Sequence, residues 1–128
     1  MKKIILDTNF LMIPGRFKID IFSEIDRMAD FNYKFFIIDK TIDELEKIIN
    51  NKESKLKDRE YAKIGLGLVR AKNIESIKSN DESVDEAIIR VSDRDTIVAS
   101  SDRELKRELR KKGVKIINLR KKQYLVLE

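Results

Sequence analysis

Apolar residues along this chain fall into short blocks separated by longer mixed stretches. Ile4 to Leu6, Phe35 to Ile38, Ile97 to Ala99 and Val114 to Leu119 are rich in Ile, Val and Phe and alternate only weakly, as expected of strands covered on both faces of a parallel sheet. Ile74 to Ile77 reads as a short additional strand. Phe17 to Ala29, Ile42 to Ile49, Lys55 to Ala71, Val84 to Val91 and Arg103 to Lys112 carry helical spacing or good helix formers, although Gly65 and Gly67 weaken the third. Phe10 to Gly15 reads as an apolar loop ending in a Pro14-Gly15 turn. Strands alternating with helices predict an α/β fold, an open parallel β-sheet flanked by helices.

Helix starts are marked by S/T-x-x-E, which occurs at Thr41 with Glu44, Ser83 with Glu86 and Ser101 with Glu104. Each pair predicts a capping box, in which side chains and backbone amides satisfy one another. Gly113 is expected to close the last helix as its C′ residue.

Composition narrows the chemistry. A chain of 128 residues suits one domain, 1–128, and 41% hydrophobic residues supply a core. His and Cys are both absent, which excludes thiol nucleophiles, disulfides, imidazole or thiolate metal sites and every Ser-His-Asp arrangement. Catalysis must therefore use carboxylates, hydroxyls or amines. The apolar run before Asp7 is only the three residues Ile4 to Leu6, too few for a signal peptide, and no run approaches a membrane span. A cytoplasmic protein without a membrane partner is expected.

The formal net charge is +5, but it is unevenly placed: residues 1–100 sum to −1 and residues 101–128 to +6. On a helix, Arg103, Lys106, Arg107, Arg110 and Lys111 fall within an arc of about 140°, opposite Leu105 and Leu109. Such a stripe is either a solvated face that complements the helix dipole or a contact for a polyanion such as RNA.

The acids fall at telling places. Asp7 ends the first strand, Glu44 opens the helix after the second, Asp85 lies in the first turn of a helix, and Asp102 opens the helix after Ile97 to Ala99. In a parallel sheet the carboxyl ends of the strands share one edge, where ligands bind. Four carboxylates gathered there would repel one another unless a cation lay between them, and oxygen-only ligation suits Mg²⁺ or Mn²⁺. Capping and helix-dipole roles account for Glu44, Asp85 and Asp102 taken singly. Asp7 has no such role, and an unpaired carboxylate beside a core is costly.

The segments Ile4-Ile5-Leu6-Asp7-Thr8-Asn9-Phe10-Leu11-Met12, Thr41-Ile42-Asp43-Glu44-Leu45, Val84-Asp85-Glu86-Ala87-Ile88 and Ile97-Val98-Ala99-Ser100-Ser101-Asp102-Arg103-Glu104-Leu105 resemble the signature segments of PIN-domain ribonucleases. They are most similar to small archaeal proteins related to the PIN nucleases of small-subunit ribosomal RNA processing, and less so to VapC toxins. The resemblance implies a three-layer α/β/α fold, catalytic and metal-binding carboxylates at Asp7, Glu44, Asp85 and Asp102, and polar helpers at Asn9 and Ser100. Asp43 and Glu86 are neighbouring acids that compete for two of these places. Relatives often carry Thr-Asn-Asp where this chain has Ser100-Ser101-Asp102, so the hydroxyl is retained and the amide lost.

The activity these features imply is divalent-metal-dependent hydrolysis of RNA phosphodiester bonds, with the basic stripe supplying backbone contacts. It would serve RNA processing, with ribosome-assembly factors as partners, or a toxin restrained by an antitoxin. A homodimer is implied by resemblance alone. The alternative is a non-catalytic RNA-binding or assembly protein on the same fold. A phosphorylatable receiver domain fits poorly, because Thr8 and Asn9 follow Asp7 where adjacent acids belong.

Overall fold

The computed structural model describes residues 1–128. Six strands form one sheet in the order β3-β2-β1-β4-β5-β6. They are β1 (Lys2–Leu6), β2 (Tyr33–Ile38), β3 (Glu75–Ile77), β4 (Thr96–Ala99), β5 (Lys115–Arg120) and β6 (Tyr124–Leu127). The first five pair in parallel, as the weakly alternating apolar blocks predict. β6, which the apolar pattern does not single out, runs antiparallel to β5. Its end is tied down by Glu128, whose carboxylate accepts from Arg110 at 2.7 Å and from Arg120 at 3.1 Å.

Alternate residues of the central strands feed two cores. Ile4, Leu6, Ile37, Ile97, Ala99 and Ile117 face one side. That side is covered by helices α1 (Ile13–Phe17), α2 (Ile21–Met28), α3 (Asp39–Asn50) and α4 (Leu56–Ala71). Ile5, Phe36, Ile38, Val98 and Ile116 face the other, under α5 (Val84–Val91) and α6 (Arg103–Lys111). The result is the open sheet flanked by helices that the pattern predicts, in the three-layer α/β/α arrangement that the family resemblance implies.

Several local expectations are corrected. The Phe10–Gly15 segment is not a loop: Phe10–Met12 form a 3-10 turn that leads into α1, with Pro14 in its first turn, where a missing N–H costs nothing. Phe10, Leu11, Met12 and Ile13 are all buried, so the apolar run is core. The helix expected over Phe17 to Ala29 breaks at Lys18, which adopts φ 57°. It restarts at Ile21 because the Asp20 carboxylate caps Ser23 N–H at 3.1 Å.

Of the three capping boxes, only Ser83 with Glu86 forms. α3 begins at Asp39, directly after β2, which places Thr41 and Glu44 inside the helix. At α6 the cap is Asp102, not Ser101. Gly113, at φ 78°, closes α6 as expected: Val114 N–H reaches Leu109 C=O and Gly113 N–H reaches Arg110 C=O, each at 3.0 Å.

Candidate active site

The strand order reverses between β1 and β4, and in parallel sheets ligands bind in the crevice beyond that switch point. Asp7 leaves the end of β1 there, with its N–H still bonded to Ala99 C=O at 3.0 Å. Its carboxylate is buried, 4% exposed. One oxygen accepts from Thr8 N–H at 2.8 Å and the other from the Ser100 hydroxyl at 2.9 Å. Ser100 is itself fully buried at the end of β4 and accepts from Asp102 N–H at 3.0 Å. A single hydroxyl thus joins two carboxylate-bearing segments from opposite ends of the chain.

A cavity of about 370 Å³ opens above Asp7 and Thr8. Glu44, Asp85 and Asp102 line it, with Asn9 and Lys47. Glu44 comes from the second turn of α3, where its carboxylate accepts a short hydrogen bond from the Thr8 hydroxyl. Asp85 lies in the first turn of α5, and its carboxyl takes no hydrogen bond from the protein. Asp102 caps α6 with one oxygen, accepting from Glu104 N–H at 2.9 Å and Leu105 N–H at 3.0 Å. The neighbouring acids do not line this cavity: Glu86 is used in the Ser83 capping box, and Asp43 is exposed beside it.

The electrostatics record an excess of negative charge. Burial pushes the Asp7 carboxyl up to about 6, and the nearby Asp85 and Glu44 charges add to the shift, against the lowering effect of the Ser100 and Thr8 hydrogen bonds. Burial also raises Asp85, followed by repulsion from Asp102, Glu44 and Glu104. As the side chains stand, no three carboxylates are close enough to share one ion. Asp102 and Glu44 are each drawn aside by a hydrogen bond, and nothing among them offsets their repulsion except Lys47. The donor set fits a hard divalent cation nonetheless: it is oxygen throughout, anionic and accessible from solvent.

The residues of the basic stripe lie in different surroundings. Arg103 and Lys106 line a second cavity of about 700 Å³ that adjoins the first. Arg110 is paired with Glu128, Lys111 with Glu108 at 3.3 Å, and Arg107 is exposed outside both cavities. Thr8, Lys47, Arg16, Lys121 and Lys122 also line these cavities and are not among the residues expected there. Lys47 had a signal, its position three residues after Glu44 on one helix face. Lys121 and Lys122 had none, because only the β5–β6 turn brings them there.

A family model described as a PIN like domain matches residues 4–122. Ribonuclease VapC4 of Methanocaldococcus jannaschii is 31% identical over 126 residues, spanning 97% of this chain and 95% of that protein. Among solved structures, the PIN domain endonuclease Utp24 superposes with a TM-score of 0.78 at 23% identity, over 98% of this chain and 90% of that one. This second likeness is one of fold.

Proposed function

The chain belongs to the PIN-like domain family, and from that premise we propose that it is a divalent-metal-dependent endoribonuclease, the 128 residues acting as one nuclease domain. The observation that carries this reading is the cavity at the switch point, where Asp7, Glu44, Asp85 and Asp102 arrive from four separate elements. Their excess charge is what a cation would relieve. When bound, Mg²⁺ or Mn²⁺ supplies activation of water and neutralisation of charge on the phosphate.

The protein's own residues divide the work. Asp7, Glu44, Asp85 and Asp102 would hold the ion. Ser100 fixes the Asp7 oxygens and the start of the Asp102 segment together, and Thr8 orients Glu44. Asn9, at the rim of both cavities, is placed to meet substrate. With no His in the chain, no imidazole takes part in proton transfer.

The test is incubation of purified protein with structured RNA and Mn²⁺ or Mg²⁺, alongside EDTA and Asp7→Asn. Cleavage that requires both the metal and Asp7 supports the reading; cleavage that survives either removal overturns it. The VapC-named relative favours a toxin role over RNA processing. Expression alone should then arrest growth, and Asp7→Asn should relieve the arrest. Unimpaired growth with active enzyme would favour processing.

A further inference from the structure

The larger cavity lies between α1, the start of α6 and the β5–β6 turn. Its wall carries Arg16, Arg103, Lys106, Lys121 and Lys122 against one acid, Asp102. Arg16 is shared with Asp58 at 3.4 Å and lies over the Tyr61 ring. The other four have no carboxylate partner within ion-pair distance, whereas Arg110, Lys111 and Arg120 nearby are all paired. Lys106 is instead held by Asn118 at 3.0 Å, and burial, then the Arg110 charge, lower its pKa. This is a crowd of cations left without counter-charge.

The turn adds a second, independent observation. Gln123 N–H closes on Arg120 C=O at 3.0 Å, and the two residues between, Lys121 and Lys122, have φ of 53° and 55°. Positive φ at both positions marks a type I′ turn, where Asn-Gly is preferred and a long side chain is disfavoured. Two consecutive lysines in left-handed backbone are strained, and such strain clusters at binding and catalytic sites. Asn9 and Asp102 line both cavities, so the cationic cleft runs directly into the carboxylate pocket.

We infer that this cleft seats the backbone phosphates of the RNA strand whose scissile bond lies in the carboxylate pocket, and that Lys121 and Lys122 are held in their strained turn to meet that strand. The inference rests on the nuclease reading for the identity of the polyanion. Recognition through phosphates carries no base specificity. The cleft offsets the repulsion that the acidic pocket would otherwise impose on RNA.

The test is binding of a short fluorescein-labelled single-stranded RNA, followed by anisotropy in EDTA across a salt titration. Lys121→Asn/Lys122→Gly should weaken binding by about fivefold to tenfold and make the salt slope shallower by about 1.4, at about 0.7 for each phosphate no longer neutralised. Its Tm should rise by a few degrees, because the turn now has its preferred residues. Lys121→Gln/Lys122→Gln should lose the same affinity without the gain in Tm. Lys2→Ala/Lys34→Ala removes two charges at the amino ends of β1 and β2, the sheet edge opposite the cleft, and should cost less than about twofold. Unchanged affinity in both turn variants, or an equal loss in the β1/β2 control, overturns the inference.

The two readings fail separately. If the wild type cuts RNA and the turn variants bind and cut equally well, the cleft assignment falls and the nuclease stands. If RNA binding depends on the turn but no metal supports cleavage, the nuclease falls and the cleft stands.

Discussion

Asp7 illustrates the tension between stability and function at a single residue. Its carboxyl titrates near 6 in the fold against 3.8 in an unfolded chain, so between these values the folded state binds the extra proton. Stability from this group is full below about pH 4 and is lost as pH rises through 6, at most ~3 kcal/mol. Asp7→Asn should therefore be more stable than wild type in EDTA at pH 7, with the difference vanishing toward pH 4; paired melts across that range check it. The same variant should lose cleavage by about 10³-fold or more while still binding RNA. Nothing beyond Ile4 to Asn9 is needed to suspect this residue, since a carboxylate at the end of a buried strand has few structural excuses. The Ser100 hydroxyl bond that orders it spans 93 positions and required the β1–β4 pairing.

At the scale of elements, α4 is held against the 3-10 turn by a glycine that weakened its helical pattern. A Cβ at Gly65 would lie 2.6 Å from Leu11 C=O, whereas one at Gly67 would meet nothing within 4 Å. Helical propensity alone favours Ala at both. Gly67→Ala should accordingly stabilise by about 0.5–1 kcal/mol, and Gly65→Ala should destabilise by about 1–3 kcal/mol because the helix must move off the turn. Denaturant melts of the pair decide it. At α6, Asp102→Ala removes the cap and the charge together and should cost about 1 kcal/mol of stability, whereas Asp102→Asn retains most of the cap. Both should lose activity, which separates the capping role from the proposed metal role. Two element starts depart from the capping-box spacing. Thr41 with Glu44 and Ser101 with Glu104 satisfy the spacing of a capping box, but β2 runs straight into α3 and Asp102 competes successfully for the α6 cap.

For the whole molecule, uncompensated acids in one pocket and uncompensated bases in the next make a fold that ligands should stabilise. Saturating Mg²⁺ or Mn²⁺ should raise Tm, by about 2.7 kcal/mol of added stability at a hundredfold excess over Kd, and Asp7→Asn should abolish most of that rise; thermal melts with and without EDTA measure both. The alternation of strands with helices, the parallel sheet and the four candidate acids were legible along the chain, because each depends on short-range periodicity or on a residue's place beside an apolar run. Three features were not: the antiparallel β6, the burial of Phe10 to Ile13, and the lysines of the β5–β6 turn facing the pocket. Each depends on what packs opposite, and spacing along the chain carries no record of that. Local pattern thus determined the elements and the candidate chemistry. Tertiary packing decided which charges stay neutralised and which are left facing one another, because electrostatic energy follows distance in space and burial from water.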